Sequence, residues 1–171
     1  MPTSSKLIPR LYLLHLTLGI AWFATPALAG ITVEVRGVDE DIKLNVLAYL
    51  SFERYKNSKE LTRDFVERLQ ERAEREVRSA LRPFGYYEPT ITQQLTQEAK
   101  GGEQDYKVTI DVKPGEPVVV DNVYVRVTGA GAADKVFTDV TDNPPIRKGQ
   151  RLNHSDYETL KGGLLRAAGR L

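Results

Sequence analysis

Two stretches of the chain alternate between hydrophobic and polar positions, at residues 31–36 and 106–113. Isoleucine and valine fill the odd positions of the first stretch, and tyrosine, valine and isoleucine fill the even positions of the second up to residue 112. A period of two is typical of a strand with one buried and one wet face, so both stretches are predicted strands. A third strand is predicted at residues 90–97, which are rich in threonine and glutamine, followed by a hairpin turn at residues 99–103, which include two glycines.

Hydrophobic residues recur with a helical period at residues 39–50 and 61–81. The second segment has the stronger pattern, because a hydrophobic residue returns every four positions while most others are charged. Acidic residues there precede basic residues by four positions, the favourable order for ion pairs on a helix. The charges therefore predict a solvated helix face, which Pro83 and Gly85 end. The stripe consists of Leu61, Phe65, Leu69, Ala73, Val77 and Leu81.

A tight turn at residues 113–117, rich in proline and glycine, marks a predicted domain boundary. After it the pattern starts again, with a predicted strand at 123–127, a short helix at 132–140 and a helix that Ser155 and Glu158 begin as a capping box. Equivalent features lie about 85 to 90 residues apart, which indicates an internal repeat. The second copy lacks its last two strands, and we expect these to be encoded downstream.

The beginning of the chain predicts a secretory signal peptide. Lys6 and Arg10 precede a hydrophobic run shorter than a membrane span, and a small-x-small site ends at Ala29. Cleavage is predicted between Ala29 and Gly30. Removing the two basic residues changes the formal charge from +1 to −1, which leaves no excess of positive charge for nucleic acid. The chain has no cysteine, so no disulfide framework is expected.

Catalytic and cofactor chemistry find little support in the exported residues. His154, Ser155 and Asp156 include the three residue types of a hydrolase triad, but a triad needs convergence in space, and Ser155 is better explained as a helix cap. Residues 129–134 are similar to a dinucleotide-binding turn that lacks its third glycine. His154 and Asp156 have no further metal ligands beside them in the sequence. We therefore expect no catalytic residue, no cofactor and no metal site.

Four stretches, at residues 31–37, 84–91, 112–118 and 149–158, follow one another in the order and spacing of a known module. Together they resemble POTRA domains, the polypeptide-transport-associated modules, and in particular those of the TamA family of outer-membrane translocation and assembly proteins. The resemblance implies an α+β fold of tandem POTRA modules with the order β-α-α-β-β. Each module is then a mixed three-stranded sheet covered by two helices, and the second module is truncated.

The predicted organisation has three parts. Residues 1–29 form the signal peptide, residues 30–116 the first POTRA domain, and residues 117–171 an incomplete second one. The resemblance places the chain on the periplasmic side of the bacterial outer membrane.

The resemblance further implies a function in protein binding. TamA-like proteins carry three POTRA modules and an outer-membrane barrel, and act with an inner-membrane-anchored partner of the TamB type to insert or secrete outer-membrane and autotransporter proteins. We expect this chain to bind a TamB-like partner and unfolded client proteins. We expect it to bind no nucleic acid, and to contact the membrane only through a C-terminal barrel that is absent from the sequence. The alternative is another secreted POTRA adaptor, either a barrel-assembly factor or a scaffold of the cell envelope or of division.

Two surfaces are candidates for binding polypeptides. The polar segment at residues 90–97 is a candidate edge strand, because unpaired backbone groups accept an incoming strand without reading its sequence; the alternative is a strand that is merely solvated. Tyr86 and Tyr87 are a candidate partner surface, since aromatic residues favour interfaces; the alternative is that one ring packs against the core. The candidate edge consists of Thr90, Ile91, Thr92, Gln93, Gln94, Leu95, Thr96 and Gln97.

Overall fold

The computed structural model describes residues 30–59, 61–100, 103–129 and 131–170. The predicted signal peptide up to Ala29 lies outside the described residues, of which Gly30 is the first. So do residues 101–102 of the turn predicted at 99–103, and the predicted bounds of that turn are wrong, since Ala99, Lys100 and Glu103 belong to strands. The helices and strands, in chain order, are β1 (Ile31–Arg36), α1 (Glu40–Tyr49), α2 (Ser51–Tyr55), α3 (Arg63–Leu81), β2 (Thr90–Lys100), β3 (Glu103–Lys113), α4 (Lys135–Thr141) and α5 (His154–Ala168).

The strands form one mixed sheet of order β1-β3-β2. β1 pairs with β3 in parallel, with Ile31 opposite Tyr106, and β2 pairs with β3 antiparallel, with Thr90 opposite Lys113. The predicted order of strand, helices, strand and strand is confirmed, and so is the α+β fold. β2 runs to Lys100, beyond the predicted end at residue 97, because the hairpin pairing continues that far.

The core lies between one face of the sheet and helices α1 to α3. Tyr106, Val108, Ile110 and Val112 of β3 are all buried, as their alternation predicts. Burial of such a side chain contributes about 1.5–3 kcal/mol relative to leaving it in water. Lys107, on the opposite face of the same strand, is exposed. The central strand therefore anchors the whole module.

Helix α3 buries four residues of the predicted stripe, Leu69, Ala73, Val77 and Leu81, and its buried face shifts away from the stripe toward the start of the helix. A residue at every fourth position advances about 400° around a helix of 3.6 residues per turn, so a strict four-residue stripe drifts by about 40° at each step. Phe65 consequently lies on the flank and is only half-buried, with its ring centroid 5.3 Å from that of Tyr55, while the half-buried Leu61 precedes the helix. The Thr62 hydroxyl caps the helix by accepting from the Phe65 N–H at 3.3 Å. The buried residues of α3 are Val66, Leu69, Ala73, Val77, Ala80 and Leu81.

The helix predicted at 39–50 is confirmed as α1, which ends at Tyr49 because the backbone of Leu50 is extended; the short helix α2 that follows was not predicted. The Glu76 carboxylate of α3 accepts from the Ser51 N–H at 2.8 Å and from the Ser51 hydroxyl at 2.5 Å. A carboxylate at a helix N-terminus satisfies free N–H groups and interacts favourably with the helix dipole. This contact, across 25 sequence positions, begins α2 and ties it to α3.

The second half of the chain has a smaller core, in which Val120, Ile146 and Leu160 are buried. The strand predicted at 123–127 is wrong, since residues 121–128 are not in a strand. The valines there are half-buried and their neighbours exposed, but the described residues supply no second strand for the backbone groups, and pairing is what makes a strand.

Helix α5 begins at His154 rather than at a capping box. The side-chain oxygen of Asn153 accepts from the Ser155 N–H at 3.0 Å, so Asn153 is the cap and the predicted pairing of Ser155 with Glu158 is wrong. Asparagine caps as well as serine does, and here it stands two positions earlier. Glu158 instead lies 2.7 Å from Lys161. The short helix α4 also begins later than predicted, at Lys135. The internal repeat and the domain boundary at 113–117 stay predictions.

Candidate polypeptide-binding site

β2 lies at one edge of the sheet, and its outer border faces no other strand of the described chain. The Tyr106 N–H donates to the Gly30 carbonyl at 2.9 Å, so the even-numbered residues of β3 direct their backbone groups toward β1. The odd-numbered residues of β3 then bond β2, where the register places even-numbered residues opposite them. Ile91, Gln93 and Leu95 therefore turn their N–H and C=O groups outward, toward the open border.

All eight candidate edge residues lie in β2, and their side chains divide between two faces. Ile91, Gln93 and Leu95 are half-buried on the helix side, where Ile91 and Leu95 pack against the core. Gln93 Nε2 donates to the Gln70 carbonyl of α3 at 3.2 Å, which fixes the strand to that helix. The exposed residues of the segment are Thr90, Thr92, Gln94, Thr96 and Gln97.

β1 forms the opposite edge of the sheet, and it is shorter and partly closed. The Ile31 N–H, on its outer side, donates to the Lys56 carbonyl at 3.0 Å. Glu34 accepts from Arg36 at 2.8 Å and lies 3.5 Å from Lys107. The hydrogen bond from Arg36 lowers the pKa of the Glu34 carboxyl, against a smaller opposing effect of desolvation. Since charged side chains discourage pairing at an edge, β2 offers the better docking border.

Tyr86 and Tyr87 lie where the two halves of the chain meet. The Tyr86 ring packs against the first core, its hydroxyl accepts from Arg151 at 3.1 Å, and the guanidinium carbon lies 5.4 Å from the ring centroid. The Tyr87 hydroxyl lies 3.1 Å from His154 Nε2, and Tyr87 is 42 % exposed. The two tyrosines thus contact residues that lie 65 and 67 positions later in the sequence, a role that sequence reasoning missed. Their predicted contact with a partner protein stays a prediction.

Backbone hydrogen bonds complete this junction. The Val118 N–H donates to the Gly85 carbonyl and the Leu152 N–H donates to the Val118 carbonyl, both at 2.8 Å. Gly85 has a φ of +82°, and a Cβ there would lie 2.6 Å from the Leu152 carbonyl oxygen. Glycine alone fits both the left-handed conformation and the close approach.

Replacing Gly85 with alanine should loosen the junction. The new Cβ must displace Leu152, and the positive φ adds strain, so we expect the free energy of unfolding to fall by about 1–3 kcal/mol. Amide hydrogen exchange should become faster at Leu152, while Val108 in the central strand serves as the internal control. An unchanged exchange rate at Leu152 would contradict the expectation that a Cβ at residue 85 displaces the Leu152 backbone.

The residues considered for chemistry have structural partners. His154 contacts Tyr87, and Asp156 lies 3.3 Å from the Gln150 amide nitrogen. His154, Ser155 and Asp156 therefore do not form the hydrogen-bonded chain of a catalytic triad. Asp134 caps α4 by accepting from the Val136 N–H at 3.0 Å. The described ranges contain no group of three histidine, cysteine or acidic residues suited to a metal, and no helix within them has the length and hydrophobicity to cross a membrane.

A sheet of order β1-β3-β2, with its helices inserted between the first two strands, is the fold of a POTRA module. Residues 32–114 match the protein-family model described as POTRA domain, TamA domain 1. The match runs from the second residue of β1 to the residue after β3 and covers a little under half of the 171-residue chain. POTRA domains are protein-interaction modules, and a TamA-type domain suggests a periplasmic factor for outer-membrane assembly or translocation.

Proposed function

We propose that residues 30–171 are the periplasmic POTRA portion of an outer-membrane translocation and assembly factor. In this role the chain binds unfolded outer-membrane or autotransporter proteins and an inner-membrane-anchored partner of the TamB type. The observation that supports the proposal most is the open border of β2 in a module of the TamA POTRA type.

Clients bind by adding a strand to β2. Ile91, Gln93 and Leu95 offer N–H and C=O groups to the incoming backbone, and backbone pairing is largely independent of sequence. Each hydrogen bond contributes only about 0.5–1.5 kcal/mol net, and ordering an unfolded chain costs free energy. Binding is therefore weak and reversible, which suits a factor that must release many different clients.

The partner protein binds beside the junction. Tyr87 and Val118 are both about half-exposed and line a groove with a volume of about 380 Å³, together with Glu88, Glu116 and Pro117. A half-exposed aromatic ring next to an exposed valine provides the apolar contact that interfaces favour. The Tyr86 ring lies deeper and supports the groove through its contact with Arg151.

The substitution Gln93→Pro tests client binding. Proline removes an N–H that points outward, so the hydrogen bonds between β2 and β3 are retained and the melting temperature should be close to that of Gln93→Ala, which loses the same side-chain bond to Gln70. Photo-crosslinking of the full chain to an unfolded outer-membrane barrel protein should fall several-fold. Gln93→Ala is the matched control, since it removes the same side chain but keeps the N–H.

A second control is Gln94→Pro, which removes an N–H bonded to β3 and should lower the melting temperature. Equal crosslinking of Gln93→Pro and Gln93→Ala, with both variants folded, would contradict strand addition at this border.

A further inference from the structure

Helix α3 lines two different grooves. A groove between α3 and β2, with a volume of about 380 Å³, is lined by Glu67, Gln70, Glu71 and Gln93; we call it the α3–β2 groove. On the flank toward α1, the helix presents Arg72 and other residues to a different groove. The groove beside β2 is thus lined by two carboxylates and two amides.

Hydrogen-bond acceptors predominate in the α3–β2 groove. Glu67 accepts from Arg63 at 2.8 Å, whereas Glu71 is exposed and forms no ion pair within the described ranges. The side-chain nitrogen of Gln93 donates to the Gln70 carbonyl, and the Gln93 Oε1 is buried without a partner in the described chain. The lining thus offers two carboxylates and a carbonyl oxygen but no cationic group, a set that suits a cationic side chain.

The position of the groove determines which part of a client would enter it. Gln93 points to the helix side of the sheet, and a strand added beside β2 lies about 4.8 Å away with alternate side chains on that same side. One client side chain in two therefore passes over the groove. A long basic side chain can lay its hydrocarbon stem along the half-buried Leu95 and Ile91 while its charged end reaches Glu71.

We propose that the α3–β2 groove gives client binding a chemical preference, for strands that carry lysine or arginine at the position beside Gln93. This preference rests on the proposed function, since it requires a strand added at the β2 border. Backbone pairing then supplies general binding, and the groove selects among clients and sets their register.

The test uses fluorescence polarisation with the full chain and two labelled peptides. Both are soluble strands of alternating threonine and valine, and they differ only at one central residue, lysine or glutamine. We expect the lysine peptide to bind about 3- to 5-fold more tightly at low salt, the range expected for a solvent-exposed ion pair. The difference should disappear near 1 M salt, where the screening length is about 3 Å.

Glu71→Gln should remove the preference while leaving the glutamine peptide unaffected. Glu74→Gln is the matched control, because it removes an equal charge from the same helix, outside the groove, at a residue paired with Arg78. Equal binding of both peptides, or an equal effect of the two substitutions, would overturn the preference. Loss of both peptides in Gln93→Pro would still uphold strand addition, whereas retention of both would refute the proposed function itself.

Discussion

The variant Gly37→Ala is expected to lose about 2–5 kcal/mol of its free energy of unfolding. Gly37 follows β1 with a φ of +84°, and a Cβ there would lie 2.1 Å from the Val112 carbonyl oxygen. Val112 is buried in the central strand and pairs with Ile91 of β2, so its oxygen cannot move aside without disturbing the sheet. Urea denaturation followed by far-ultraviolet circular dichroism measures the loss.

Gly149 provides a matched control for this prediction. Its φ of +85° is nearly the same, but no atom lies within 4 Å of the place where a Cβ would stand. Gly149→Ala therefore carries only the cost of the left-handed conformation, about 1–2 kcal/mol. Equal losses in the two variants would mean that the approach to Val112 relaxes freely, contrary to the expectation for a central strand.

Leu69→Ala should destabilise the protein by a similar amount, about 2–5 kcal/mol. Leu69 is fully buried at the middle of α3, where the helix meets the sheet. Truncation removes hydrophobic burial and leaves a cavity that the surrounding strands and helices can fill only in part. The same denaturation experiment gives the change in the free energy of unfolding.

The control for this core substitution is Leu165→Ala on α5. Leu165 is 66 % exposed, so its truncation should change stability by no more than about 0.5 kcal/mol. If Leu69→Ala cost as little as Leu165→Ala, the buried face of α3 would not be the one described.

The sequence predicted the elements of the first module because its patterns are strong and local. The alternation at Tyr106 to Val112 and the periodic hydrophobic residues of α3 each arise from one face that must be buried. Local chemistry alone also indicated the end of α3, since Pro83 lacks the N–H that an α-helix interior needs and Gly85 readily takes the left-handed conformation that ends a helix.

Details that depend on distant residues were not predictable in this way. The break at Leu50 is stabilised by Glu76, which lies one helix further along the chain. The alternation at 123–127 resembles that of β1, yet a strand also needs a second strand with which to pair. The alternation of residues within a segment does not show whether such a pairing strand exists. At α5 two polar residues competed for the cap, and the choice of Asn153 over Ser155 depends on a difference of a few tenths of a kcal/mol or less.

For the candidate site, composition singled out the polar segment 90–97, but topology decides what it can do. β2 has an open border because β1 pairs with β3 and thereby leaves β3 in the centre. The hydrophobic pattern does not encode this pairing. The contacts of Tyr86 and Tyr87 with Arg151 and His154 likewise link positions that only the folded chain brings together.

The parallel pairing of β1 with β3 has a consequence for the order of folding. Gly30 and Asp105 meet across 75 positions, whereas the β2–β3 hairpin and the helices close over short loops. Because local closure is fast, we expect the hairpin and helices to form before β1 docks, which leaves the β1-facing side of β3 unpaired in the interval. An unfolded chain of this kind is then most open to mispairing at its own central strand, and other unfolded chains nearby should slow its folding more than they slow hairpin formation.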